Sequence, residues 1–489
     1  MNPVSNTGPR AGRIVLFAIA LLATARLVSL AWYPLMDTTE ARYADIARRM
    51  LAQGDWVTPW FADGVPFWGK PPLSFWATRL GFMLFGVNEF GARLPHYLLG
   101  VSIAGLVWWQ ARSLSHRAAW HAVALLAGTT LFLVSTGAVM TDMALTLGNT
   151  LVMIGFWRSL HGDPLDKSAS RRNGWLLALG AVVGLLAKGP VALVLCGLPV
   201  LVWAVWSGQV RLAWQRIAWV RGTVLVVALT LPWYVLAETR TPGFLHYFLV
   251  GEHWQRFVTP GWVGDLYGSA HKFPRGSIWL FAAGALLPWS LLLPLAAWGG
   301  LARRSAIAPD APPHPSGQRT YLLAWALAPC IFFTFAGNIL WTYVLPGLPA
   351  MALLAGGWTA SRRRGRLAEG AIVLGLAIAV ISFAVLLANG HLGARFDNKS
   401  AKNVVLAYQG RAAPGDPLYF LGKPPFSASF YSGGNARALG SIAELGALPN
   451  GQTAWVVVDA RTWRALPPAQ RARLNVVLEQ EQRILLRWN

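Results

Sequence analysis

Long apolar runs alternate with short polar segments along most of the chain. Each run is about as long as the ~20 apolar residues that a helix needs to cross a ~30 Å hydrocarbon core. The pattern therefore predicts a polytopic α-helical membrane protein with eleven transmembrane helices. The predicted spans are residues 14–32, 94–111, 118–135, 139–157, 174–187, 190–206, 222–238, 277–300, 320–337, 342–358 and 370–389.

The composition excludes most other protein classes. Of the 489 residues, 55% are apolar and only 13% are charged, whereas a soluble surface needs about a quarter of its residues charged. The apolar content is also too high for a disordered chain. Cys196 and Cys330, the only cysteines, lie within apolar runs, which excludes a disulfide-stabilised scaffold.

The net charge of +22 is explained by the membrane topology rather than by a nucleic-acid-binding surface. Basic residues cluster in short loops between apolar runs, which is typical of cytoplasmic loops. With the N-terminus in the cytoplasm, the inner loops hold 18 basic and four acidic residues, but the long first outer loop, 33–93, holds six of each. We therefore expect a cytoplasmic N-terminus and no nucleic-acid partner.

The last hundred residues differ in character from the apolar runs. Residues 414–417 carry turn signals and residues 454–459 form a β-rich run. The pattern predicts a transmembrane domain over residues 1–390 and a small soluble α/β domain over residues 391–489. An odd number of spans places that domain outside, on the periplasmic or extracellular side.

Polar residues of chemical interest gather on the predicted outer face. Residues 37–51 have apolar positions at helical spacing, which predicts an amphipathic helix at the membrane interface. Asp37 and Glu40 stand at its start, where a helix favours negative charge. They either cap this helix or take the proton of an acceptor hydroxyl.

Further candidates follow along the same face. Lys70 lies among aromatic residues and either binds a lipid-linked phosphate or extends to the interface. Asp142 near the outer end of the fourth span needs a partner or a wet cavity. Lys188 marks an outer turn, where an anchoring role is the alternative to a functional one.

Two more outer segments contribute. Glu252 and Arg256 are four residues apart and favour a helical ion pair, and with His253 they supply too few ligands for a zinc site. Tyr343 opens the tenth span, either as a donor to a phosphate oxygen or as an interfacial tyrosine. Together these residues indicate chemistry on a lipid-linked anion from the outer leaflet.

The order and spacing of these motifs resemble a known family. The motifs are residues 37–51, 69–73, 141–142, 188–189, 252–257 and 342–343. Over roughly residues 14–358 the chain resembles the bacterial aminoarabinose transferases of lipid A. It also resembles the wider superfamily of polyprenyl-phosphate-sugar glycosyltransferases, which includes the protein mannosyltransferases.

The resemblance implies a GT-C fold in the bacterial inner membrane, with a cavity at the periplasmic face. It implies inverting transfer from an undecaprenyl-phosphate-linked sugar to lipid A or another envelope glycan, among membrane lipids. No cofactor is expected, and a divalent metal is the weaker alternative.

The resemblance also implies roles for individual residues. Asp37 or Glu40 would orient or deprotonate the acceptor, and Asp142 would line the cavity. Cationic and hydroxyl donors would hold the donor phosphate and stabilise its growing charge. The predicted substrate-binding residues are Lys70, Arg42, Tyr43, Arg256, Tyr343, Lys188 and His253.

Three positions depart from the aminoarabinose transferases. Thr39 stands where they have an Asp before the Glu of the first motif, and Gly69 replaces an acidic residue before the lysine. Residues 337–339 replace a basic Lys-Gly-Lys segment. These departures leave the sugar and the acceptor open.

Two other functions remain as alternatives. A protein O-glycosyltransferase would have the same fold. A transporter or lipid flippase predicts ionisable residues near the midplane, often in paired halves, whereas here they gather at one face.

Overall fold

The structure is a computed structural model that describes residues 8–163, 165–268, 271–302, 317–360, 365–392, 397–447 and 452–488. Helices dominate its first 392 residues. In chain order they are α1 (Gly8–Ser29), α2 (Thr39–Ala52), α3 (Leu73–Phe85), α4 (Glu89–Ala111), α5 (His116–Ala127), α6 (Thr130–Ser135), α7 (Asp142–His161), α8 (Lys167–Lys188), α9 (Val191–Trp206), α10 (Val210–Arg216), α11 (Trp219–Arg240), α12 (Phe244–His246), a π-helix (Tyr247–Gln255), α13 (Arg256–Val258), α14 (Ser277–Ala285), α15 (Trp289–Ala302), α16 (Gln318–Thr334), a 3₁₀ helix (Trp341–Gly347), α17 (Leu348–Thr359) and α18 (Gly365–Leu392).

Each predicted span overlaps a helix, but three of them are interrupted. Residues 118–135 form α5 and α6, which are separated where Thr129 leaves the helical conformation. Residues 277–300 form α14 and α15, with a bend of 79° where Pro288 supplies no backbone N–H. Residues 342–358 begin as a 3₁₀ helix that contains Pro346.

Four helices of the described residues are long and apolar enough to cross a membrane. They are Gly12–Ser29, Glu89–Ala111, Trp219–Arg240 and Leu367–Asn389, and the bent pair of α14 and α15 makes a fifth if it counts as one span. The polytopic membrane architecture therefore holds. The number of eleven crossings stays a prediction.

Helices α7 and α8 form an antiparallel hairpin with close backbones. A Cβ atom built at Gly148 would lie 2.7 Å from the Gly184 nitrogen, and one built at Gly155 would lie 2.7 Å from the Leu177 nitrogen. Small residues allow membrane helices to approach in this way. The hairpin therefore brings the first residue of α7 beside the last residue of α8.

The predicted loop 33–93 is well structured. Helix α2 covers most of the predicted amphipathic helix and buries one face, including Tyr43, Ile46 and Met50. A short hairpin of β1 (Trp60–Ala62) and β2 (Val65–Pro66) follows it. Helix α3 then begins directly after two prolines, which favour the first turn of a helix.

The C-terminal segment, residues 397–488, contains a five-stranded sheet in the order β4-β3-β5-β7-β6. Its strands are β3 (Leu418–Leu421), β4 (Ala436–Leu439), β5 (Ala454–Asp459), β6 (Leu474–Glu479) and β7 (Arg483–Trp488). Strand β3 pairs in parallel with β4 and β5, whereas β7 is antiparallel to β5 and β6. The segment also contains helices α19 (Lys402–Gln409), α20 (Phe426–Tyr431), α21 (Ala460–Ala465) and α22 (Pro468–Arg471).

Candidate active site

A cavity of about 560 Å³ lies where α2, the α7–α8 hairpin, the π-helix and the 3₁₀ helix meet. It is lined by both charged and apolar side chains. Eight of the residues predicted as catalytic or substrate-binding line it: Arg42, Tyr43, Lys70, Asp142, Lys188, His253, Arg256 and Tyr343. Asp37 and Glu40 do not.

The α7–α8 hairpin supplies the first charge pair of the cavity. The Lys188 ammonium donates to Asp142 Oδ1 at 2.6 Å. Gly189 ends α8 directly after the lysine with a φ of +74°, and a Cβ there would lie 2.5 Å from the Phe248 ring. A larger residue would meet both the backbone strain and this contact, so glycine is required for the turn that sets Lys188 in place.

A second set of charges centres on Glu252 of the π-helix. Lys70 donates to its Oε2 at 2.7 Å, and Arg256 donates to its Oε1 at 3.0 Å. Arg256 also reaches Asp265 Oδ2 at 3.2 Å. Burial raises the pKa of Glu252, but the charges of Lys70 and Arg256 outweigh burial and lower it to about 2. The carboxylate thus stays ionised and keeps both cations at the cavity.

The backbone at Arg256 is held by Asn338. The Asn338 side chain donates to the carbonyls of Arg256 and Thr259 at 2.6 and 2.8 Å and accepts from Gly261 N at 2.9 Å. Asn338 lies in the segment that replaces the basic motif of the aminoarabinose transferases. It fixes the position of one cation instead of adding another.

Two predicted residues lie beside Lys188. Its ammonium lies 4.5 Å from the centre of the Tyr343 ring, within the range of a cation–π contact. The His253 ring nitrogens lie 2.7 Å from the Phe248 carbonyl and 3.2 Å from the Lys188 carbonyl. His253 therefore links the π-helix to the end of α8.

Arg42 differs from the other cations of the cavity. Its Nη1 donates to the Tyr267 carbonyl at 2.7 Å, and its Nε is buried without an acceptor among the described residues. Lys70, Lys188 and Arg256 each form an ion pair, whereas Arg42 forms none with any carboxylate that the structure describes. Its charge is therefore not neutralised at close range.

Glu40 is engaged by an arginine outside the cavity. Its two oxygens accept from Nε and Nη2 of Arg93, both at 2.8 Å, and the Arg93 side chain is 0% exposed. Burial opposes ionisation of Glu40, but the Arg93 charge and hydrogen bonds outweigh it and lower the pKa. Arg93 also donates to the carbonyls of Leu30, Tyr33 and Pro34. The pair ties the end of α1 to α2 and α4.

Asp37 is engaged by the C-terminal segment. One oxygen accepts from the Ser427 backbone N–H at 2.9 Å, and the other accepts from the Ser427 hydroxyl. Burial raises the pKa of Asp37, and the hydrogen bonds from Ser427 offset this only in part. Asp37 therefore connects the segment before α2 to the C-terminal segment.

Three carboxylates line the cavity, and they differ in how fully they are engaged. Both oxygens of Glu252 accept from cations. Asp265 accepts from Arg256 and from the Tyr267 backbone N–H. Asp142 binds Lys188 through Oδ1, and no described residue donates to its Oδ2. This oxygen remains free to accept a proton or a hydrogen bond.

Several residues that line the cavity were not predicted as substrate-binding or catalytic. They include Thr38, Thr39, Glu252, Asp265, Tyr267, His271, Asn338 and Phe426. Phe426 lies almost 390 residues from α2 in the chain, and only the fold brings them together. Asp265 lies nine residues after Arg256 in the chain, which is a signal for an ion pair between them. Glu252, four residues before Arg256, hides this signal because it is the more obvious helical partner. Among the described residues, no three His, Cys, Asp or Glu side chains are grouped as a metal site requires.

Comparison with known proteins identifies similar chains and a shared fold. A family model described as dolichyl-phosphate-mannose-protein mannosyltransferase matches residues 13–248. A crystal structure of ArnT from Cupriavidus metallidurans bound to undecaprenyl phosphate superposes with a TM-score of 0.78, over 97% of both chains, at 23% sequence identity. The chain shares the fold of this ArnT.

Two curated proteins are also similar in sequence. The chain is 33% identical over 335 residues to the undecaprenyl phosphate-alpha-4-amino-4-deoxy-L-arabinose arabinosyl transferase of Edwardsiella ictaluri. This alignment covers 67% of the chain and 55% of the relative. The enzyme of the same name from Erwinia tasmaniensis is 33% identical over 341 residues, which cover 67% of the chain and 56% of the relative. The chain thus spans little more than half the length of these relatives.

Proposed function

We propose that this chain is a membrane glycosyltransferase that transfers a sugar from a polyprenyl-phosphate donor to a hydroxyl group of lipid A or another envelope glycan. The observation that carries the proposal is the convergence of four cations, Arg42, Lys70, Lys188 and Arg256, on one cavity that also has apolar walls. A polyprenyl-phosphate sugar has the matching chemistry, because it joins an anion to a long hydrocarbon chain.

The donor phosphate binds at Lys70, Arg256 and Arg42. Lys70 and Arg256 share the carboxylate of Glu252, and Arg256 also pairs with Asp265, so these two cations and two carboxylates balance. Arg42, which pairs with no described carboxylate, supplies the net positive charge of this group. Cations held in place before the reaction stabilise the charge that grows on a leaving phosphate. The prenyl chain lies against the apolar lining, which includes Val191, Val194, Leu195, Leu249 and Phe332.

The acceptor hydroxyl is oriented by Asp142. As the hydroxyl oxygen attacks the anomeric carbon, its proton passes to Asp142 Oδ2. The bond between the anomeric carbon and the phosphate oxygen breaks, and its electron pair stays on the phosphate. Attack from the face opposite the phosphate inverts the anomeric centre. This role passes to Asp142 because Glu40 is engaged by Arg93 and Asp37 by Ser427.

The orientation in the membrane follows from the loop charges. The N-terminus lies in the cytoplasm, and the cavity faces the periplasm of a bacterial inner membrane that the chain crosses eleven times. Residues 1–390 form the transmembrane domain, and residues 391–489 form a periplasmic domain. The excess of basic residues in the inner loops supports this orientation.

The names of the similar proteins support a choice of donor and acceptor. The aminoarabinose transferases similar to two thirds of the chain favour an aminoarabinose donor and a lipid A acceptor. A protein acceptor is the second candidate, favoured by the mannosyltransferase model that matches residues 13–248.

Mass spectrometry of envelope lipids and glycans, from cells with and without the gene, tests the proposal. We expect loss of one sugar-sized mass from lipid A in the deletion strain, with its return when the gene is restored. Loss of the sugar from a protein, with unchanged lipid A, would select the second candidate. An unchanged glycan pool and an unchanged pool of undecaprenyl-phosphate sugar would contradict both.

A further inference from the structure

The C-terminal segment contributes a wall of the cavity. Its helix α20 begins at Phe426, and Phe426 is the one described residue after 397 that lines the cavity. The ring of Phe426 lies 5.6 Å from the ring of Phe61, so it extends the aromatic cluster of the first outer loop. An element far away in sequence thus meets the residues that surround α2.

Polar contacts hold α20 against α2 and its flanks. They come from three residues of α20 and reach the segment before α2, α2 itself and the start of α4. The pairs are Asp37 with Ser427, Asp45 and Arg49 with Ser429, and Leu35 and Glu89 with Tyr431. Hydrogen bonds to charged groups are directional and stronger than neutral ones, so they fix where the first residue of α20 lies.

The ring of Phe426 packs on Arg42. The Arg42 guanidinium carbon lies 5.6 Å from the centre of this ring and 5.3 and 5.9 Å from the centres of the Tyr43 and Phe67 rings. All three distances lie within the range of cation–π contacts. Aromatic faces hold a guanidinium in place and leave its charge intact. A carboxylate in the same position would neutralise it. Arg42 therefore keeps its full charge for an anion.

We propose that Phe426 is a positioning residue. Through its ring, the C-terminal segment holds the Arg42 guanidinium in the position where it binds the donor phosphate. The inference rests on the proposed function, because that function assigns the phosphate to this cavity. It adds that the C-terminal segment belongs to the donor site. Phe426 acts through Arg42 and touches no reacting atom in this role.

Binding of undecaprenyl phosphate to the full chain in lipid nanodiscs tests the inference. We expect Phe426→Leu to raise the Kd about fivefold, the effect of losing one partly buried cation–π contact. Phe426→Met, which also lacks the ring, should match it, and Phe426→Tyr should bind as the wild type does. Phe430→Leu is the matched control, because Phe430 lies on the same helix and packs against Phe82 outside the cavity lining. Its Kd should stay unchanged.

A double variant separates positioning from general loosening of the structure. With Arg42 replaced by Ala, Phe426→Leu should cause no further loss of affinity. An unchanged Kd for Phe426→Leu, or the same fivefold loss in the Arg42→Ala background, would overturn the inference while leaving the donor site intact. Failure of the wild type to bind undecaprenyl phosphate would overturn the proposed function, and this inference with it.

Discussion

The ammonium of Lys188 lies 2.6 Å from the carboxylate of Asp142, although 46 residues separate the two in the chain. The pair exists because two antiparallel helices pack closely along their glycines, so that the start of one meets the end of the other. One oxygen of Asp142 is used by this contact. The other oxygen is the one proposed to take the proton of the acceptor hydroxyl.

Replacing Asp142 by Asn should slow transfer at least about 100-fold, the lower end of what a general base contributes. Affinity for undecaprenyl phosphate should change little, because the donor phosphate binds at other residues. Steady-state transfer rates and donor Kd values check this. Asp63→Asn is the control, since the Asp63 side chain is 91% exposed. Wild-type turnover of Asp142→Asn would contradict the assignment.

The contact between Asp37 and Ser427 predicts coupled effects. Asp37→Ala and Ser427→Ala should each lower transfer in part, and the double variant should be no worse than the stronger single one. Transfer rates of the four proteins close the cycle. If Asp37→Ala abolished transfer while Ser427→Ala kept the wild-type rate, Asp37 would act in the chemistry itself.

Replacing Glu40 by Gln should destabilise the fold. The change leaves the buried Arg93 charge without its carboxylate, which costs about 3–5 kcal/mol in comparable pairs. A lower thermal unfolding temperature in detergent would report this loss. Glu444→Gln, at an exposed position of the C-terminal segment, should unfold with the wild type. A Glu40→Gln protein that is stable but inactive would instead favour Glu40 as the acceptor base.

Protonation of Glu252 should weaken its ion pairs, so the protein should lose stability in acid. The pKa of Glu252 is lowered to about 2 from 4.5, so its contribution is complete above pH 4.5 and disappears as the pH falls towards 2. The shift corresponds to about 3 kcal/mol. Unfolding temperatures measured from pH 6 down to about pH 3 should fall less steeply for Glu252→Gln than for the wild type. Identical pH profiles would contradict the ion-pair account.

Much of the cavity lining could be predicted from polarity, and the family resemblance added Arg42. Lys70, Asp142, Lys188, Arg256 and Tyr343 are polar residues next to apolar runs, and a membrane gathers such residues at an interface or in a wet cavity. Periodicity also located the helices. It did not reveal the break at Thr129, because a single extended residue within an apolar run leaves no signal in the hydrophobic pattern.

The contacts of Asp37 and Glu40 could not be read from the chain. Both carboxylates stand at a helix start, and the first outer loop offers no local clue to their partners. Ser427 lies 390 residues from Asp37, and Arg93 lies 53 residues from Glu40. Which carboxylate stays free in the cavity depends on these long-range contacts, and only the folded structure provides them.

The most direct test of the account is the affinity of undecaprenyl phosphate for the wild type and for Lys70→Ala, each reconstituted in lipid nanodiscs. Removing Lys70 takes one cation from the phosphate and leaves Glu252 with one cationic partner among the described residues, Arg256. We predict saturable binding to the wild type and at least about tenfold weaker binding to the variant, a difference of about 1.4 kcal/mol. Equal affinity of two equally stable proteins would contradict a donor phosphate site at this cavity.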